Sequence, residues 1–298
     1  MNISDILVPI DFSELSTKAL ETAEKVAGLF QSRITPVHVH LPINEMDEPY
    51  ALGMGGSGYQ DYDELERVLK ERLREVASEH VQEELLKEPI VLFGNPAQSI
   101  SDLSESYDFV VMSTHGRTGF SRFFLGSVAE KVLRLAHVPV LIVEDESDVG
   151  NFEKILVTTD FSENAAAAFP YAKAFAQASG ANVHLLHVLS YDQIEDSESE
   201  PSLKKIRKER LKLTAKESFH DLEEKITYSV LTSEDSPHEA IFKHLREETY
   251  NLVIMATVGR TGIRYLMMGS TTANVARHVD TAVLSVNPKK EKTSESSQ

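Results

Sequence analysis

Apolar residues along this chain fall into two kinds of run, and the two kinds alternate. Ile6-Leu-Val and Ile155-Leu-Val are short, continuous and β-rich, and each precedes a turn and an Ala-rich stretch of helical character, about 14–30 and 164–179. A second strand ends at Val39 in one place and at Val188 in the other. A charged segment follows, clearest from Asp63 to Val76, where Leu65, Val68, Leu69, Leu73 and Val76 recur at helical spacing. Third strands lie near Ile90-Val-Leu-Phe and Thr227-Tyr-Ser-Val-Leu. Asn95-Pro96 and Ser236-Pro237 then open helices, a position that suits proline because its missing N–H would be unpaired there anyway. Phe109-Val-Val-Met and Leu252-Val-Ile-Met predict fourth strands, Gly126-Ser127 and Gly269-Ser270 the starts of fourth helices, and Val140-Leu-Ile-Val and Ala282-Val-Leu-Ser-Val the last strands. Continuous apolar strands alternating with helices require a parallel sheet covered on both faces. The pattern therefore predicts an α/β fold: doubly wound, five parallel strands to each half.

The two halves are copies. Asp5-Ile-Leu-Val-Pro-Ile-Asp11-Phe-Ser13 recurs as Lys154-Ile-Leu-Val-Thr-Thr-Asp160-Phe-Ser162, and His38-Val39 recurs as His187-Val188, both at an offset of 149 residues. Val110-Val-Met-Ser-Thr-His-Gly-Arg-Thr-Gly119 recurs as Val253-Ile-Met-Ala-Thr-Val-Gly-Arg-Thr-Gly262, and Gly126-Ser127 as Gly269-Ser270, at an offset of 143. Preserved order on either side of one deletion is the mark of a duplicated domain. The domains are expected at 1–147 and 148–288, joined through the acidic 144–150, with 289–298 a disordered tail. Met46 to Gln60, with Gly53, Gly55, Gly56 and Gly58, reads as an inserted loop or lid.

Composition narrows the chemistry. The 298 residues include no Cys, which excludes a thiol nucleophile, disulfides and Cys-ligated metal. A net charge of -17 argues against nucleic acid as a partner, since a polyanion is repelled by it. No apolar run reaches the roughly 20 residues of a membrane span, and the start has no signal-like character, so a soluble cytoplasmic protein without a membrane partner is expected.

The repeated landmarks fall in the loops after strands one, two and four, beyond the carboxyl ends of a parallel sheet, where open α/β folds bind ligands. After strand four come Gly116, nine residues and Gly126-Ser127; the second half repeats this as Gly259, nine residues and Gly269-Ser270. Glycine lets the backbone approach a ligand, and Gly-Ser at a helix start offers amide hydrogens and a hydroxyl at the positive end of the dipole. That is a phosphate cradle without the lysine of a Walker loop. Charge neutralisation falls to the amides, to a bound Mg²⁺, or to Arg117 and Arg260, which serve equally well as surface charge. Asp11 and Asp160 can accept hydrogen bonds from a nucleobase or ribose, or can form Asx-turns that satisfy helix-start amides. Val39 and Val188 offer backbone groups and an apolar wall. His38 and His40 share a strand face, but His184 and His187 do not repeat their spacing, so satisfied imidazoles are favoured over a zinc site. His115 is Val258 in the second half, and no Gly-x-Ser-x-Gly elbow occurs, which leaves no repeated hydrolytic set.

These motifs resemble those of the universal stress protein family in its two-domain form, over nearly the whole chain apart from 46–60 and the tail. The ATP-binding branch of that family carries Gly, two residues, Gly, nine residues, Gly-Ser/Thr; both halves match the last two elements and depart at the first glycine, which is Ser113 in one and Ala256 in the other. The resemblance implies Rossmann-like domains packed as an intramolecular pseudo-dimer, with Val140–Val143 beside Val283–Val286, and leaves a further homodimer open. It implies an adenine nucleotide as ligand, with Asp11, Val39, Gly116, Gly126 and Ser127, and Asp160, Val188, Gly259, Gly269 and Ser270, at the binding positions.

Three functions stay open at this point. The leading one is a stress-response regulator or sensor that binds ATP. The others are a slow Mg²⁺-dependent ATPase or phosphotransferase using Arg117 or Arg260, and an interaction protein with vestigial sites, which Ser113 and Ala256 keep in play. The halves are not electrically equivalent: up to Ser147 the chain holds 12 basic and 25 acidic residues, net -13, and the remainder 18 and 22, net -4. The second half is therefore expected to bind the nucleotide more tightly.

Overall fold

The structure, a computed structural model, describes every residue except Asn2, 42–61, 115–124, Glu146, 192–198, 258–268 and 289–298. The expected insertion, the expected tail and the site candidates Gly116, Arg117, Gly259 and Arg260 lie outside the described residues.

In the first half the elements run β1 (Asp5–Pro9), α1 (Glu14–Phe30), β2 (Arg33–His40), α2 (Tyr62–His80), β3 (Ile90–Phe93), α3 (Pro96–Leu103), β4 (Phe109–Ser113), α4 (Ser127–Leu135) and β5 (Val140–Val143). In the second they run β6 (Lys154–Thr158), α5 (Glu163–Ala166), α6 (Phe169–Ser179), β7 (Asn182–Ser190), α7 (Glu200–Ser218), β8 (Ile226–Ser233), α8 (Pro237–Glu247), β9 (Leu252–Ala256), α9 (Ser270–His278) and β10 (Ala282–Val286). The strands form one sheet in the order β3-β2-β1-β4-β5-β10-β9-β6-β7-β8. Each half is thus a doubly wound parallel unit of the same internal order, as the apolar pattern predicts. The halves meet where β5 runs antiparallel to β10, with Val283 opposite Ile142, Leu284 opposite Leu141 and Ser285 opposite Val140.

Burial on both faces explains the unbroken apolar strands. One core lies under α1, α2, α6 and α7 and extends through both halves; the other lies under α3, α4, α8 and α9. Phe175 of α6 is buried edge-on against Phe30 of α1, with ring centroids 5.0 Å apart, and also against Phe152 at 5.3 Å. An aromatic wedge therefore joins the halves beneath the sheet.

Two elements depart from expectation. The helix expected over 164–179 is two helices, because Pro170 has no N–H to give to Ala166 and so stands in the first turn of a new helix. In α2 the full apolar stripe is not buried: Leu73 and Ala77 are, whereas Val68 is 38% exposed. The helix lies over the outer strand pair, where the sheet offers cover on one side only.

Candidate functional site

The crevice of each half lies between its first and fourth strands, β1 and β4 or β6 and β9, which pair in parallel. Chain connections leave these two strands toward opposite neighbours, which makes their carboxyl ends the point where strand order reverses and where open α/β sheets bind ligands.

The loop leaving β1 is shaped by a side-chain stack that recurs in the second half. Phe12 has φ 65° and Phe161 φ 62°, left-handed conformations that cost a non-glycine residue roughly 1–2 kcal/mol. Packing holds them there. The Phe12 ring lies 4.6 Å from the His38 ring and under the Arg72 guanidinium at 4.5 Å. Phe161 lies 4.4 Å from His187 and under Arg210 at 4.5 Å. Each imidazole donates from Nδ1 to the carbonyl just ahead of the aspartate: His38 to Ile10 at 2.7 Å, and His187 to Thr159 at 2.8 Å. Burial lowers the pKa of the His187 imidazole against the opposing pull of this hydrogen bond. His and Phe thus fix the loop from below while Arg closes it from above. The repeated Phe in Asp-Phe-Ser was the available signal for this stack; the two arginines sit at unequal spacings and gave none.

Asp11 and Asp160 are held by that loop. Oδ1 of Asp11 accepts from the Ser13 amide at 3.0 Å and its hydroxyl at 2.5 Å, and Oδ1 of Asp160 accepts from Ser162 at 2.9 and 2.6 Å. One oxygen of each carboxylate therefore makes the plain Asx-turn. Ser13 and Ser162 in turn cap α1 and α5.

Val39 and Val188 lie two residues past Val37 and Leu186, the last residues of β2 and β7 in register with β1 and β6. The Val37 carbonyl accepts from Ile10, and the Leu186 carbonyl from Thr159. Strand polar groups point to alternate edges with a period of two, so the N–H and C=O of Val39 and Val188 face that same edge, beyond its last ladder pair. Their side chains pack against the opposite core, with Val39 in register with Leu92 and Val188 with Leu231.

Ser113 and Ala256 end β4 and β9. Thr114 and Thr257 follow, and their carbonyls accept from the amides of Gly126 at 2.8 Å and Gly269 at 2.6 Å. A Cβ on Gly269 would stand 2.9 Å from the Thr257 carbonyl oxygen, so only glycine allows the helix to start this close to the strand exit. Both glycines have φ of -59°, which any residue adopts, so at Gly269 close approach rather than backbone freedom is the requirement. Neither α4 nor α9 has a side-chain cap; α6, α7 and α8 share this, whereas α1, α3 and α5 are capped. The first-turn amides of α4 and α9, and the exposed Ser127 and Ser270, stand at the positive end of the helix dipole next to the exits of β4 and β9. In the second half Thr272 also donates to the Ala256 carbonyl at 2.7 Å.

The sheet topology thus brings Asp11, Val39, Ser113, Gly126 and Ser127 to the carboxyl edge of one parallel unit, and Asp160, Val188, Ala256, Gly269 and Ser270 to that of the other. Among the described residues no group of three His, Asp or Glu side chains could hold a metal ion, and no helix is long and apolar enough to cross a membrane.

The model of the universal stress protein family matches residues 2–144 and again 151–287. A universal stress protein of Mycolicibacterium smegmatis is 24% identical over 298 residues, covering 95% of this chain and 97% of its own. One from Methanocaldococcus jannaschii is 30% identical over 154 residues, covering 47% of this chain and 93% of its own, as expected for a single-domain relative. The crystal structure of a universal stress protein from Archaeoglobus fulgidus superposes with a TM-score of 0.68 at 24% identity and 98% coverage of both chains, a likeness of fold. The chain belongs to the universal stress protein family, with two copies of the family's domain in tandem.

Proposed function

We propose that this protein binds ATP, or a closely related adenine nucleotide, in the two crevices and acts as a cytoplasmic regulator or sensor in a stress response. The supporting observation is the doubled cradle: an uncapped helix N-terminus, held against the strand exit through a glycine amide, stands beside a constrained aspartate loop in both halves. The residues fit a nucleotide. First-turn amides and Ser127 or Ser270 would hold phosphate oxygens, Asp11 or Asp160 would accept from ribose or base, and Val39 or Val188 would present backbone to the base edge. A bound Mg²⁺ would offset phosphate charge. The reading is one of binding, because the repeated groups supply hydrogen bonds and each repeated carboxylate already has an oxygen engaged in its turn. A ligand that favours one conformation shifts its population without turnover.

The test is to denature purified protein, identify what it releases, and titrate the stripped protein with Mg·ATP. Ser127→Glu and Ser270→Glu place a carboxylate where the helix dipole welcomes it and a phosphate must sit. Each substitution is expected to weaken ATP binding in its own half by at least about tenfold with no loss of thermal stability. No released nucleotide and no titratable binding would refute the proposal.

A further inference from the structure

Pairing of β5 with β10 uses up the inner strand edges within one chain, so association between whole chains needs another surface. The two outermost helices of one layer have the right character. Each of α2 and α7 connects the second and third strands of its half, and they cover opposite ends of the same sheet face as α1 and α6. Four of the seven large apolar side chains exposed among the described residues stand on this pair of helices: Tyr62 and Val68 on α2, Ile206 and Leu213 on α7.

The two helices carry opposite charge. In a chain of net -17, α7 holds seven basic and three acidic residues, net +4, and without it the second half would stand at -8 instead of -4. α2 holds four basic and six acidic residues, net -2. The charges also fall in rows. Lys208, Lys212 and Lys216 recur every four residues on α7, Glu71, Glu75 and Glu79 do the same on α2, and all six are exposed. Side chains four apart form the ridges through which helices pack, so each row is one ridge. Leu213 and Lys216 are three apart, as are Val68 and Glu71, so each ridge borders an exposed apolar side chain. The cations of α2 are engaged at home: Arg67 bonds Glu64 and Glu71, Arg74 bonds Glu88, and Arg72 lies over Phe12. On α7, Lys204 pairs with Glu200, whereas Lys208, Lys212 and Lys216 make no ion pair among the described residues.

We infer that the face built from α1, α2, α6 and α7 is the surface through which two copies of this chain associate, the lysine ridge of α7 on each lying against the glutamate ridge of α2 on the other. Because α2 and α7 occupy opposite ends of one layer, a two-fold axis along that layer forms both contacts at once and closes the dimer. The same operation sets the first half of one copy, net -13, against the second half of the other, net -4, which limits repulsion between two acidic chains. Val68, Ile206 and Leu213 lose water in the contact, and the charge rows set partner choice and orientation.

Sedimentation velocity of the full chain is expected to show a monomer–dimer equilibrium that weakens as salt rises. Lys208→Glu with Lys212→Glu makes both ridges negative, and Glu75→Lys with Glu79→Lys makes both positive. Each double variant alone is expected to self-associate at least about tenfold more weakly than wild type. An equimolar mixture of the two regains opposite charge at both contacts and is expected to dimerise about as tightly as wild type. Carbodiimide coupling of wild type mixed with isotope-labelled wild type tests the contact without any substitution, and is expected to give amide links between lysines of α7 and glutamates of α2 on different copies. A wild type that stays monomeric at about 100 μM, double variants that associate as wild type does, a mixture that shows no recovery, or links between copies that avoid these two helices would each overturn the inference.

Discussion

His184 shows how a residue outside the repeat acquires a role. It sits on β7 with Nδ1 2.8 Å from the Thr227 hydroxyl and Nε2 2.8 Å from Ser229, stacked on His244 at 5.5 Å. His244 reaches the Tyr250 hydroxyl at 2.8 Å, and Lys154 lies over the Tyr250 ring at 4.6 Å. Burial, then His244 and Lys154, lower His184 to about 4. A histidine so depressed stays neutral when folded and takes up a proton when unfolded, so the unfolded chain binds more protons between about 6.5 and 4. Its contribution to stability is complete above that window and is lost as pH falls through it. Wild type is expected to lose about 2 kcal/mol more than His184→Asn between pH 7 and 4, after allowance for screening at its exposed edge. Chemical unfolding at the two pH values measures the difference, and parallel pH profiles would contradict it. The αL residues Phe12 and Phe161 make the complementary point: residues quoted in a repeat for their neighbours prove to be what holds those neighbours in place.

At the scale of elements, most of the helices and strands follow from local pattern, and the exceptions have local or positional causes. Pro170 split a helix whose alanine content favoured continuity. The stripe of α2 is only partly buried because an outer helix meets fewer neighbours. The wedge made by α6 could not be read from spacing, since Phe175 gains its partners Phe30 and Phe109 from the other half. Phe175→Ala removes a fully buried ring from between α1 and α6 and is expected to cost about 3–5 kcal/mol. Denaturant unfolding checks this; a loss below about 1 kcal/mol would mean that the contact between the halves closes over the gap.

For the molecule as a whole, the antiparallel pairing of β5 with β10 makes two five-stranded units into one ten-stranded sheet. Val140, Leu141, Ile142 and Val143 are all buried, so separating the halves would expose an apolar strand edge with unpaired backbone groups. A chain cut to 1–147 is therefore expected to self-associate, which analytical ultracentrifugation would show as dimers or larger species. A stable, soluble monomer would mean that the edge is covered in some other way.

Duplication, the parallel α/β class and the element order were legible in the sequence because each rests on local periodicity or on self-comparison within the chain. The glycines, serines and aspartates of the cradle were legible for the same reason: a turn or a helix start is specified by a few adjacent residues. The structure added what depends on residues distant in sequence. His38 and Arg72 close on Phe12 from different elements, and Asn287 reaches Thr257 from the far side of a crossover. Sequence counting could say that the first half carries more negative charge. Only the tertiary fold decided which charges stand near one another, because electrostatic influence follows distance and burial in space, whereas a count of charges records neither.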